Sequence, residues 1–207
     1  VFVAATGQTE VGYESTTRLR GGGIRGGGLY TTSLLGKLRG NDVGLGQALE
    51  QSHGFASRNQ LATLSGDANV LDTVGVENQK ILLINCSEFP YNNDLPGTAN
   101  DVARLDRALQ GKGYGEGQIA KLANPSKAQA LSAMRAQIDG AQAGNAVVIY
   151  TSSHGGEGGI LMADENSIEN REIQALYKRA EDQGVRLWGF GKTAYQELLN
   201  LVLNPEY

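Results

Sequence analysis

Lys80 to Tyr114 reads KILLINCSEFPYNNDLPGTANDVARLDRALQGKGY, and the change of period inside this stretch decides the fold. Ile81 to Ile84 form an unbroken apolar run between Lys80 and Asn85, as in a parallel strand buried on both faces. From Gly97 onward the spacing turns helical. Val102, Leu105 and Leu109 share one face, and Gly111 and Gly113 close the segment, so a helix crosses back over the strand.

The same alternation continues toward the carboxyl terminus. SKAQALSAMRAQIDG (126–140) is a second helix, with Ser126 as N-cap and Ala130, Leu131, Met134 and Ile138 as its inner stripe. AVVIYTSS (146–153) is a second buried strand, NREIQALYKRAEDQG (170–184) a third helix, VRLWGF (185–190) a third strand and TAYQELLNLVL (193–203) a terminal helix. Trp188 and Tyr150, both on strands, are expected in the core. Strands alternating with helices of this length predict a parallel sheet covered on both sides.

Toward the amino terminus the signal weakens. Val1 to Ala5 reads as a short strand, and GYESTTRLRGGGIRGGG (12–28) as a glycine-rich surface loop. A helix follows from about Thr31 and stops at Gly40. LGQALEQ (45–51) is a further short helix, and NQLATLSGDAN (59–69) a short strand ending in a turn. His53, in QSHGFAS, is placed at a loop or helix end. DTVGVENQ (72–79) reads as a connection.

Composition narrows the classes of function. A chain of 207 residues that is 40% hydrophobic can bury a core without staples. Its net charge of −4 is dispersed, with no basic stripe for nucleic acid and no polybasic membrane patch, so neither partner is expected. The single cysteine, Cys86, excludes an intramolecular disulfide and points to a reducing, cytoplasmic setting. No apolar run reaches the roughly 18 residues of a membrane span, and the first ten residues lack the pattern of a signal peptide.

Ligands of such sheets meet the carboxyl ends of the strands. The loop after KILLIN holds Cys86, Ser87 and Glu88, and the loop after AVVIYTS holds Ser153, His154 and Gly155. A thiol and an imidazole on two loops of one edge are the minimum for an activated thiolate, although a lone cysteine at a strand end also serves as a small hydrophobe. Nucleotide motifs fail. GFGKT ends like a phosphate-binding loop, but Arg186 stands where the first glycine is required, and RGGGIRGGG lacks the dinucleotide spacing.

Two blocks carry a family resemblance. Lys80–Tyr114 resembles the opening strand, loop and first helix of the caspase and metacaspase superfamily, where an apolar strand leads to L-x-G-x-x-N-D. AVVIYTSSHGGEGGILMADEN (146–166) resembles that family's histidine strand, usually Y-S-G-H-G. VFVAATGQTEVGYES (1–15), GGGLYTTSLLGKLRG (26–40) and QLATLSGDA (60–68) resemble its small-subunit half, which normally follows the nucleophile and here comes first. The resemblance implies an α/β fold. Its mostly parallel caspase-like sheet would have about six strands and helices on both faces, in permuted chain order. Residues 1–72 would be the small-subunit-like half, 73–79 a linker and 80–207 the large-subunit-like half of one domain. Each half completing a neighbour's sheet, or a piece of a tandem array, gives the same pattern.

Carried over by position, His154 matches the general base and the Gly155 amide the oxyanion donor. Asp101 and Ser152 match positions lining a pocket for a basic residue, with Glu88 a further acidic group in the adjoining loop. The resemblance thus implies a cysteine endopeptidase homologue cleaving after Arg or Lys. One departure stands against it. The family's nucleophile motif, D-x-C-x-S-G after the next strand, has no counterpart in VRLWGFGKTAYQ. Three readings remain open. Cys86 takes over as nucleophile, the chain is an inactive peptide-binding or self-assembling relative that extends its sheet, or the nucleophile precedes Val1. No cofactor is expected. Some metacaspases bind calcium, but the acidic residues of ADENSIENRE (163–172) lack the spacing of a dedicated loop and read as a solvated turn.

Overall fold

The structure is a computed structural model describing residues 2–4, 14–18, 24–40, 42–53, 56–57, 60–61, 63–65, 68–91, 94–156 and 159–191. In chain order the first elements are β1 (Phe2–Ala4), β2 (Glu14–Arg18), β3 (Ile24–Gly28), α1 (Leu29–Leu38) and α2 (Leu45–His53). Short strands β4 (Ala56–Ser57), β5 (Gln60–Leu61) and β6 (Thr63–Ser65) follow, then a 3-10 segment at Ala68–Thr73. The second part contains β7 (Gln79–Asn85), α3 (Pro96–Gln110), β8 (Ile119–Ala123), α4 (Lys127–Asp139) and β9 (Ala146–Ser152). It continues through β10 (Gly155–Gly156), β11 (Gly159–Leu161), β12 (Ser167–Glu169) and α5 (Asn170–Asp182) to β13 (Arg186–Gly191).

The molecule is an α/β fold whose central sheet runs β6-β1-β13-β9-β7-β8. Every neighbouring pair is parallel except β1 with β6. β1 enters beside β13 in the register Phe2↔Gly189, Val3↔Phe190 and Ala4↔Gly191, so the start of the chain pairs with the end of the described part.

Alternation along the strands sorts the core into two layers, because successive side chains leave a strand on opposite faces. Ile81 and Leu83 of β7, with Val148 and Tyr150 of β9, pack toward α1, α2 and α3. Leu82, Ile84, Val147 and Ile149 pack toward α4 and α5. Local signals set the helix ends. Ser126 caps α4 by accepting from the Gln129 amide at 3.3 Å, while Gln129 Oε1 accepts from the Ser126 amide at 2.9 Å. Asp72 holds the first turn of α2 through the Gly46 and Gln47 amides, both at 2.8 Å.

Several expectations need correction. The glycine-rich stretch taken as a loop contains the antiparallel pair β2–β3, from Glu14↔Gly28 to Arg18↔Ile24. Residues 59–69 give two short strands rather than one, β5 pairing with β4 and β6 joining the main sheet. The connection before β7 buries Val74 and Gln79, and the Gln79 amide group donates to the Val74 carbonyl at 2.7 Å. Edge strand β8 had no counterpart in the sequence reading. Its IAKLA alternates too weakly to stand out and is a strand because β7 pairs with it. The terminal helix expected at 193–203 lies outside the described residues. No helix among the described residues is long and apolar enough to cross a membrane.

Candidate functional site

β7 and β9 end side by side, with Asn85 opposite Ser152, and the Cys86 amide donates to the Ser152 carbonyl at 2.9 Å. The two candidate loops therefore leave one edge of the sheet as neighbours. The loop after β7 is held by backbone contacts. Asn124 Oδ1 accepts from the Ser87 amide at 2.7 Å and the Glu88 amide at 3.2 Å, and Asp94 Oδ1 accepts from the Phe89 amide at 2.9 Å. Thr98 Oγ1 donates to the Cys86 carbonyl at 3.0 Å, tying the loop to α3. Glu88 is exposed, and Tyr91 projects with 76% of its surface accessible.

His154 is half-buried immediately beyond β9, and the Phe89 ring lies against it at a centroid distance of 4.9 Å and an interplanar angle of 58°. Its carbonyl accepts from the Leu161 amide at 3.0 Å. The exposed Gly155 begins β10, opposite Ile160 of β11. Gly159 opens the return strand where a Cβ would meet the Ile168 carbonyl oxygen at 2.0 Å, so this close approach admits only glycine. Phe89 was not foreseen as a neighbour of the histidine; nothing in the pattern of CSEFPY marks it.

The alternation of strand faces separates the other candidates. Asp101, on α3, is fully buried in the layer that contains Tyr150. Both carboxylate oxygens accept from the Gly28 amide, at 3.1 and 2.9 Å, and Ser152 Oγ donates to Oδ2 at a long 3.5 Å. The Tyr150 hydroxyl meets Thr31 Oγ1 at 2.8 Å. Burial pushes the Tyr150 phenol well up, and the Asp101 charge adds to this; hydrogen bonds to Thr31 and Ser152 oppose it. Gly28 and Thr31 complete this polar cluster from the first part of the chain, a link no local motif announces.

Cys86 belongs to the opposite layer. It is fully buried among the side chains facing α4 and α5. Burial pushes its thiol up, the charge of Asp164 adds to that, and hydrogen bonds to Ser153 and the Ala163 backbone offset only part. A nucleophilic cysteine needs access and a lowered pKa, and this thiol has neither.

The acidic turn uses its carboxylates locally. Asp164 Oδ1 accepts from the Lys127 amide at 3.1 Å, and Asn166 Nδ2 donates to Asp164 Oδ2 at 3.0 Å. Burial alone would raise the Asp164 carboxyl, yet these bonds hold it below its usual value. Among the described residues no group of three or more His, Cys, Asp or Glu side chains is arranged to hold a metal ion.

A family model, the caspase domain of the C14 peptidases, matches residues 78–181, from the turn before β7 to the last turn of α5. The chain belongs to the caspase-domain family. Cys86, Glu88, Asp101, Ser152, His154 and Gly155 all lie inside that match. Metacaspase-1 of Mycosarcoma maydis is 28% identical over 133 residues, covering 53% of this chain and 33% of that protein. Metacaspase-1 of Eremothecium gossypii is 34% identical over 97 residues, covering 42% of this chain and 22% of that protein. The chain thus spans a third or less of the length of these curated relatives.

Proposed function

We propose that this caspase-like domain binds an extended polypeptide at the carboxyl edge of its sheet. It recognises a basic side chain through Asp101 and Ser152, and Cys86 does not act as its nucleophile. The carrying observation is the placement of the sole cysteine, which is fully buried with its thiol pushed up, in the layer facing away from Asp101. A thiol in that position presents no thiolate to a carbonyl carbon lying over His154, so no acyl-enzyme forms there. The basic-residue preference rests on charge: a carboxylate with a neighbouring hydroxyl favours a cation over a neutral or acidic side chain. The pairing of β1 with β13 supports a reading in which residues 1–72 supply the small-subunit-like half in exchanged order.

The test pairs activity with binding. The full chain is incubated with fluorogenic peptides ending in Arg or Lys, alongside Cys86→Ala, and the anisotropy of a labelled Arg-terminated peptide is followed in parallel. Saturable binding that falls about tenfold or more in Asp101→Ala, with no Cys86-dependent turnover, is expected. Cleavage abolished by Cys86→Ala restores the relocated-nucleophile reading and rejects this one.

A further inference from the structure

The residue that donates to Asp101 is the last of the β2–β3 hairpin and immediately precedes α1. Strand β3 packs along α3, the helix that bears Asp101. Gly28 N–H is aimed between the two carboxylate oxygens, and Gly28 and Asp101 are both buried. A buried carboxylate attracts any donor that replaces water, and here that donor is the chain itself. The hairpin is also basic by sequence, with Arg18 on β2, Arg25 on β3 and Glu14 its sole acid.

We infer that the β2–β3 hairpin is an internal strap that closes the cation-recognising end of the cleft through the Gly28–Asp101 bond, and that a basic ligand binds only by displacing it. This rests on the cleft reading above and adds its regulation. Asp101 cannot serve the Gly28 amide and an incoming guanidinium with the same lone pairs while it has no exposed surface. Binding and strap release are therefore one equilibrium, and the ligand's apparent affinity is reduced by the fraction of molecules in which the strap is closed.

The decisive variant is Gly28→Pro. The glycine has φ −59° and ψ 140°, values proline adopts, and the change removes the amide hydrogen and places a ring methylene against the carboxylate. The labelled Arg-terminated peptide is titrated into the full wild-type chain, Gly28→Pro and Asp101→Asn, with circular dichroism to verify folding. Hydrogen exchange of the Gly28 region is followed with and without peptide. Gly28→Pro is expected to bind about tenfold more tightly, as the loss of one charge-assisted hydrogen bond from the closed state requires. Added peptide should accelerate exchange around Gly28 in the wild type. Equal affinity of wild type and Gly28→Pro, with Asp101→Asn weaker than both, overturns the strap and leaves the cleft standing. Binding by none of the three overturns both. If Gly28→Pro does not fold, exchange in the wild type decides alone: a Gly28 amide that stays protected at saturating peptide rejects displacement.

Discussion

Asp101 and Cys86 are both fully buried near the carboxyl edge of one sheet, and they differ in what burial has done to them. Asp101, on the α1–α3 side, sits in a polar cluster assembled from both parts of the chain: the Gly28 amide, Ser152, Tyr150 and Thr31. Cys86, on the α4–α5 side, belongs to the same apolar cluster as Ile84, Phe89 and Met162, with Ser153 and the Ala163 backbone as its polar partners. One site is buried polarity held by partners. The other is buried polarity tolerated because a thiol behaves as a small hydrophobe. In this domain, a buried polar cluster lies on one face of the sheet while the thiol is absorbed into the apolar core of the other.

The strongest test of that contrast is Asp101→Ala. It strands the buried Gly28 amide without an acceptor and leaves a cavity, so a loss of about 3 kcal/mol in urea unfolding is expected. The loss should come with faster hydrogen exchange at the start of α1. A stability change below about 1 kcal/mol would mean that the two parts of the chain are not joined through this carboxylate.

How far the sequence reaches follows the same division. β7, α3, α4, β9, α5 and β13 were legible because their burial is written as local periodicity: a continuous apolar run for a strand covered twice, an i, i+3, i+4 stripe for a helix covered once. The neighbouring ends of β7 and β9 were legible too, since both runs stop at loops rich in polar and titratable side chains. What was hidden was contact at long range. Gly28 lies 73 residues from Asp101, and no local rule pairs them. β2 and β3 were hidden for another reason: glycine carries no side chain to write an alternation, so IRGGG (24–28) reads as part of a loop although its backbone pairs. The opposite faces of Cys86 and Asp101 follow from strand parity in β7, but only once α3 is known to lie on the Leu83 side.

Tyr150→Phe tests the interior of the polar cluster. The substitution keeps the ring and removes the hydroxyl that meets Thr31 Oγ1, leaving a fully buried threonine hydroxyl to find another partner. A loss of about 2 kcal/mol is expected. Because the phenol is raised by burial and by the Asp101 charge, its folded pKa exceeds its unfolded one. Its contribution is whole below the ordinary tyrosine value and is lost as strong alkali deprotonates it. Thermal denaturation of the variant should therefore fall less steeply than wild type above about pH 10. Identical alkaline limbs would place the Tyr150 hydroxyl in contact with solvent.

The smallest expected effect belongs to Cys86, and its smallness is the point. Cys86→Ala deletes one buried heavy atom from an apolar layer and should cost about 1 kcal/mol. An activated thiolate would behave otherwise, since its alkylation would be fast in the native protein and its removal would leave an unopposed cation beside it. With the thiol pushed up by burial, the native state binds the proton more tightly than the unfolded chain. The sign follows: this stability is intact below the ordinary thiol value near pH 9 and is lost as pH rises through the higher folded value. Wild type should lose stability over that window relative to Cys86→Ala, and iodoacetamide at pH 8 should label Cys86 in urea far faster than in buffer. Rapid native labelling, or a stability difference between the two proteins that does not change with pH, would move the thiol out of the apolar layer and back toward His154, erasing the contrast between the two faces.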